Sequence, residues 1–227
     1  MASADGSDVR AIPQLVIFDC DGVLVDSERI SNEVLADLLT VEGLPTTLAE
    51  ARRAYQGLML SEVGARAEAS LGRPLPRGWL ARFERERERA FRRELGPVTG
   101  ASEAVRRISA TGIPVCVASQ GKLAKTRLSL GLTGLDSLFR DGAVFSAYSV
   151  ANGKPAPDLF LHAARAMGAQ ADGCVVVEDT PSGVRGAVAA GMRVLGYSAD
   201  SDEQALRDAG AEIFHALERL PRLLGLD

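Results

Sequence analysis

The stretch LVIFDCDGVLVDSE, Leu15–Glu28, sets four apolar residues directly before two aspartates spaced one residue apart, with a glycine behind them. A short apolar run ending on a turn signal reads as a buried strand. Side chains at i and i+2 of a strand share a face, so Asp19 and Asp21 are expected to project together from its C-terminal end. Gly22 then lets the backbone turn sharply. In an open α/β sheet the ligand crevice lies beyond the strand C-termini, where this pair would sit. Two carboxylates so close repel unless a cation or a shared proton intervenes. A hard divalent ion with oxygen ligands, Mg²⁺ foremost, is the expected remedy. A calcium loop counted from Asp19 fails, because the positions that need an acid, a glycine and a glutamate hold Val23, Leu24 and Ile30.

Working outward, apolar runs recur at PVCVAS (114–119), AVFSA (143–147), CVVVED (174–179) and RVLGYS (193–198), with helix-like segments between them. That alternation predicts βαβ units and a parallel sheet. The runs are almost continuously apolar, as strands buried on both faces are. Residues 28–96 break the rhythm: they hold no strand run but show helical spacing, as at Ile30, Val34, Leu35, Leu38 and Leu39, punctuated by GLPTT, RPLPRG and GPVTG. The expected organisation is an α/β core of 1–27 plus 97–227 with a helical cap, 28–96, inserted. Within it, WLARFERERERAFRREL (79–95) reads as a solvated helix face of interleaved ion pairs over an apolar stripe, in preference to a basic binding patch.

The 227 residues carry a net charge of −4, which argues against a nucleic-acid partner, since phosphate contacts need a basic surface. No run approaches the about 18 apolar residues of a membrane span, and the opening MASADGSDVR is polar rather than signal-like. A cytoplasmic protein, monomeric or weakly dimeric, with a small-molecule partner is expected. Cys20, Cys116 and Cys174 fall in apolar runs without metal-ligand spacing and read as reduced core residues. Two histidines leave little for a histidine metal cluster or a Ser/His triad.

The other strand ends also carry polar groups. CVVV ends in Glu178 and Asp179, followed by Thr180 as an N-cap and Pro181 as the first helical residue. Asp179 would complete an oxygen-rich site with Asp19 and Asp21 if the two strands are neighbours. PVCVAS ends in Ser119, followed by QGK and a helix-like run, a layout that offers a hydroxyl and backbone N–H groups to an anion. Lysine is scarce, at three residues against 23 arginines. Lys154 lies in NGKPAPD, where Pro155 biases it toward an extended conformation, and a compact ammonium suits a tight phosphate site.

Together DCDGVLVDSE, VASQ, GKPAPD and VVVEDTPSG resemble the four motifs of the haloacid dehalogenase superfamily, spanning Leu15 to about Asp200. The resemblance implies a Rossmann-like core with a type I cap and is strongest to the sugar-phosphate phosphatase, β-phosphoglucomutase and phosphoglycolate phosphatase relatives. It implies Asp19 as nucleophile and Asp21 as general acid and base. Asp19, Asp179 and the backbone carbonyl of Asp21 would hold Mg²⁺ with Glu178 close by, and Ser119, Gln120 and Lys154 would grip the phosphate. Gln56 and Gly57 of the cap segment YQGLMLSEV (55–63), with Lys122, are expected to select the substrate, a small sugar or polyol phosphate first and phosphoglycolate next. Arg52 and Arg53 could meet a second anionic group.

Dehalogenation dispenses with the second aspartate, which is present here, and phosphonate cleavage needs a cap lysine, which residues 28–98 lack. The nearer alternative is a mutase. That subgroup carries a histidine where this chain has Ser31, and a lysine and an arginine where it has Gln56 and Leu60, so hydrolysis is favoured. A binding module without catalysis would lack one of Asp19, Asp21, Lys154 or Asp179, and all four are present.

Overall fold

The computed structural model describes residues 11–199 and 201–226, so the polar opening MASADGSDVR lies outside the described residues. The quoted stretch forms β1 (Leu15–Phe18), every residue of which is buried. Four helices follow before the next strand: α1 (Glu28–Val41), α2 (Leu48–Tyr55), α3 (Leu60–Leu71) and α4 (Trp79–Glu94). Then come α5 (Ala101–Ala110), β2 (Val115–Ser119), α6 (Leu123–Leu132), β3 (Val144–Ser146), α7 (Asp158–Met167) and β4 (Cys174–Glu178). The chain finishes through α8 (Pro181–Ala189), β5 (Arg193–Tyr197), α9 (Glu203–Ala209), β6 (Glu212–Phe214) and α10 (Leu220–Leu223).

The sheet has the order β3-β2-β1-β4-β5-β6 and every pairing is parallel. After β1 the chain first builds outward to one side and then returns to build the other, so the strand order reverses at β1, where the crevice of such a sheet opens. Register fixes what meets there. Phe18 lies opposite Val117 of β2 and Val177 of β4, which brings Asp19, Ser119 and Glu178 to one end of the sheet. The Asp19 N–H donates to the Val177 carbonyl at 2.9 Å. β6, absent from the sequence reading, is a three-residue edge strand, too short to show a period of two.

The helical insert has an apolar cluster of its own, including Leu38, Leu39, Tyr55, Trp79 and Phe83, apart from the cluster that packs both faces of the sheet. Full burial of each large apolar side chain contributes about 1.5–3 kcal/mol. Local signals start and stop the helices: Thr47 and Glu50 form a capping box at α2, and Gly72, at φ 65°, closes α3. The two crossings between core and insert run side by side. The Asp26 N–H donates to the Gly96 carbonyl and the Val98 N–H to the Leu24 carbonyl, each at 3.0 Å.

On α4 the expected stripe is present, with Phe83, Ala90 and Phe91 buried and surface pairs such as Arg92–Glu88 at 2.8 Å. The solvated-face expectation fails at two residues, Glu84 and Arg87, which line the cavity, Glu84 pairing there with Lys122 of the core at 2.7 Å.

Candidate active site

Beyond the strand ends, between core and insert, lies a cavity of about 120 Å³. Of the expected site residues, Asp19, Asp21, Gln120, Lys122, Lys154 and Glu178 line it, as does Gly57 from the insert. Three others do not. Ser119 is fully buried, and its hydroxyl accepts from the Gly121 N–H at 3.1 Å, shaping the turn into α6. Gln56 and Asp179 face a neighbouring cavity of about 270 Å³, shared with Arg52, Gly22 and Asp26. The backbone explains Gln56: it ends α2 in an extended conformation, which sends it away from the wall that Gly57 forms.

Lys154 is the hub. Its ammonium donates to Asp19 Oδ1 and, at 2.6 Å, to Glu178 Oε1, all three groups being buried. Gln120 braces its loop by accepting from the Lys154 N–H at 3.0 Å and donating to the Lys154 carbonyl at 3.3 Å. Burial disfavours the ammonium, but the two carboxylates prevail and hold its pKa above the ordinary value. Burial pushes the Asp19 carboxyl up to about 7, with Lys154 opposing and Glu178 and Asp21 adding to the rise.

Asp21 stands in a different field. Its Oδ1 accepts from the Ser27 hydroxyl and from Lys125. Burial alone would raise it; Lys125 and Ser27 overcome that and hold it below the usual carboxylate range. Neighbouring carboxylates are thus driven in opposite directions, Asp19 by burial and Asp21 by its cation and hydroxyl partners. Glu28 lies in the wall between the two cavities and accepts from Asn32 Nδ2 at 3.1 Å, and burial beside Asp21 lifts its carboxyl to about 7.

The sequence reading missed Ser27, Glu28, Asn32, Lys125 and Arg87. A signal existed for some. Ser27 and Glu28 close the opening stretch, and Lys125 is one of only three lysines.

The residues present fit a divalent cation. Asp179 Oδ1 is buried with no hydrogen-bond partner. Its carboxyl is pushed well up, by burial first and then by Glu178 and Asp19. Gly22, at φ 83°, makes room for it, since a Cβ there would stand 2.2 Å from Asp179 Oδ2. An orphaned carboxylate oxygen beside a second raised carboxyl is the polarity a hard cation satisfies. Glu178, by contrast, has both carboxylate oxygens engaged. Its Oε2 accepts at 2.9 Å from the Asp179 and Thr180 N–H groups and the Thr180 hydroxyl, and its Oε1 holds Lys154. Glu178, expected close by the ion, serves in this structure as an anchor for Lys154 at the start of α8. Among the described residues no three His, Cys, Asp or Glu side chains converge as a metal cage.

The chain is also similar to known proteins. The profile of the haloacid dehalogenase-like hydrolases matches residues 13–191. The 6-phosphogluconate phosphatase of Escherichia coli (strain K12) is 31% identical over 211 residues, covering 92% of this chain and 94% of that protein. Among solved structures, a conserved haloacid dehalogenase-like protein of unknown function from Agrobacterium tumefaciens is 34% identical with a TM-score of 0.80, over 93% of this chain and 97% of that one. A haloacid dehalogenase family hydrolase from Deinococcus radiodurans, solved with bound phosphate and sodium, is 29% identical with a TM-score of 0.79, over 96% and 98%.

Proposed function

The chain belongs to the haloacid dehalogenase-like hydrolase family, and from that premise we propose that it is a Mg²⁺-dependent phosphatase of small sugar or polyol phosphates working through an aspartyl-phosphate. The observation that carries the reading is the buried ammonium of Lys154 joining Asp19 to Glu178 beside a separately held Asp21. A carboxylate can attack a phosphate anion only where cations cancel the repulsion. Lys154 and Lys125 supply two from the chain itself.

Asp19 and Asp179, with the Asp21 carbonyl, would hold the ion, which supplies further charge neutralisation at the phosphoryl oxygens. An Asp19 oxygen attacks phosphorus, the P–O bond to the substrate breaks, and Asp21 hands its proton to the departing alkoxide. Asp21 then takes a proton from water as that water attacks phosphorus, and the P–O bond to Asp19 breaks. In the structure Lys125 holds Asp21 as carboxylate, the base form. A phosphate arriving beside Lys125 competes for that ammonium and raises the proton affinity of Asp21, readying the acid form. Ser31 lines the cavity at the position of the mutase histidine, which supports transfer to water.

The test is hydrolysis of p-nitrophenyl phosphate with Mg²⁺ by the native chain and by Asp19→Asn. Activity that Asp19→Asn lowers by at least about 10³-fold supports the reading, since the nucleophile leads a cooperative set. Full activity of Asp19→Asn would refute covalent catalysis.

A further inference from the structure

Next to the cavity of about 120 Å³ lies the second, of about 270 Å³, and no step of the proposed reaction uses it. The proposed ion ligands divide between the two. Asp19 and Asp21 line the smaller cavity, whereas Asp179 lines the larger, and Glu28 lines both. An ion held by Asp19 and Asp179 would therefore sit at the boundary, within reach of either side.

The two approaches differ in their chemistry. The smaller cavity is lined by basic side chains, and its acids are already engaged with them: Asp19 and Glu178 with Lys154, Asp21 with Lys125, and Glu84 with Lys122 at 2.7 Å. Such a lining draws in a phosphate anion and opposes an arriving cation. The larger cavity sets Asp26, Glu28 and Asp179 against Arg52. Its acids run from the solvent-exposed Asp26 to Asp179, which is 4% exposed and has no hydrogen-bond partner at Oδ1. Gly22, on the same wall, leaves that carboxylate uncovered, since a Cβ there would stand 2.2 Å from its Oδ2. Mg²⁺ sheds water reluctantly, and the wider cavity suits an ion that keeps part of its shell. We propose that the larger cavity is the ion's own entrance: a divalent cation reaches Asp179 and Asp19 past Asp26 and Glu28, while the substrate enters by the smaller cavity. This rests on the ion placement proposed above and goes beyond it, because ion and substrate then exchange independently.

The test reads ion exchange and needs no turnover. Mn²⁺ is the probe, with its association and its release into excess chelator followed by water-proton relaxation. Gln56→Trp fills the larger cavity from the insert. Thr99→Trp fills it from the core, at an exposed position that tolerates the change should Gln56→Trp fail to fold. Leu58→Trp fills the smaller cavity instead. A plug on the path raises the barrier and leaves the bound state alone, so association and release should each slow by about 10-fold in the first two variants at unchanged Kd. Leu58→Trp should weaken the binding of inorganic phosphate and leave both Mn²⁺ rates native. Mn²⁺ rates slowed by Leu58→Trp overturn the proposal, as do native rates in Gln56→Trp and Thr99→Trp alike, or a native chain that binds no Mn²⁺. A chain whose Mn²⁺ rates respond to the larger cavity but which hydrolyses no p-nitrophenyl phosphate keeps the entrance and sinks the phosphatase. One that hydrolyses it while its Mn²⁺ rates respond to Leu58→Trp does the reverse.

Discussion

Replacing Gly183 by alanine tests whether the Lys154 hub is as tightly held as the geometry says. Gly183 sits in the first turn of α8, and a Cβ there would stand 1.7 Å from Glu178 Oε1 and 2.0 Å from Glu178 Cδ. Non-bonded heavy atoms settle at about 3.5 Å, so the carboxylate would have to retreat by roughly 2 Å. The 2.6 Å contact with Lys154 cannot survive that, and the bonds to the Asp179 and Thr180 N–H groups at 2.9 Å would be strained. Each charge-assisted hydrogen bond is worth about 1.5–3 kcal/mol, and breaking a buried ion pair costs about 3–5 kcal/mol. A net loss of about 2–5 kcal/mol therefore lowers Tm by about 5–15 °C in a chain of this size. Helix propensity alone points the other way, since alanine in a helix gains up to about 1 kcal/mol over glycine. The opposite signs make the experiment decisive. Gly131→Ala on α6, where the nearest atom, Asp136 Oδ2, is 4.0 Å from the new Cβ, serves as the control and should be neutral or stabilising. Calorimetric melting and hydrolysis of p-nitrophenyl phosphate are the assays, with turnover expected to fall about 10²-fold, as when one electrostatic contact is lost. A Gly183→Ala protein that melts at or above the native Tm with native turnover would refute the account of the hub.

Three more outcomes follow from the same geometry. Glu28 has a carboxyl raised from 4.5 to about 7 in the folded chain, so the native state keeps a proton the unfolded chain has released, and stability falls as pH rises through that window. Glu28→Gln should therefore be more stable than the native chain at pH 8, by at most about 3 kcal/mol, and lose that advantage near pH 4; a difference that is flat with pH would sink the idea. Mg²⁺ at about 100 times its Kd should add about 2.7 kcal/mol, read as a rise of roughly 5–10 °C in Tm, and Asp179→Asn should abolish the rise; an equal rise in that variant moves the ion elsewhere. Cys20, Cys116 and Cys174 are buried, and burial raises all three thiols, so a thiol reagent at pH 8 should label none of them until denaturant is added.

The sheet was legible because its strands announce themselves twice, by unbroken apolar runs and by the polar groups that end them. Asp19, Ser119 and Glu178–Asp179 each mark a strand terminus, and parallel pairing in register must gather them. The hub lysine was legible through scarcity and the prolines around it. What escaped depends on rotation about an axis that sequence does not display. Arg87 sits in a run of alternating arginines and glutamates, and only the docking of α4 on the core decides which of them turn inward. Lys125 carried no signal of which way it faces; the turn at Gly121 leads into α6, from which its ammonium reaches Asp21. Gln56 was misplaced for a local reason, the extended backbone that ends α2. Glu178 could only be placed close by the ion, because carboxylates at strand ends look alike until their hydrogen bonds are counted.

The paired crossings at Leu24–Asp26 and Gly96–Val98 have an evolutionary side. Because the chain leaves the core and rejoins it through hydrogen-bonded neighbours, what lies between is, to the sheet, a long loop with its ends already closed. Closure entropy grows only with the logarithm of loop length, by about 0.6 kcal/mol for each doubling, so the core scarcely registers how much chain the crossings enclose. The aspartates after β1 and the lysine of the loop before α7 can stay as they are while the helices above are lengthened, reshuffled or exchanged, and selection on the shape of the leaving group proceeds apart from selection on the transfer of the phosphoryl group.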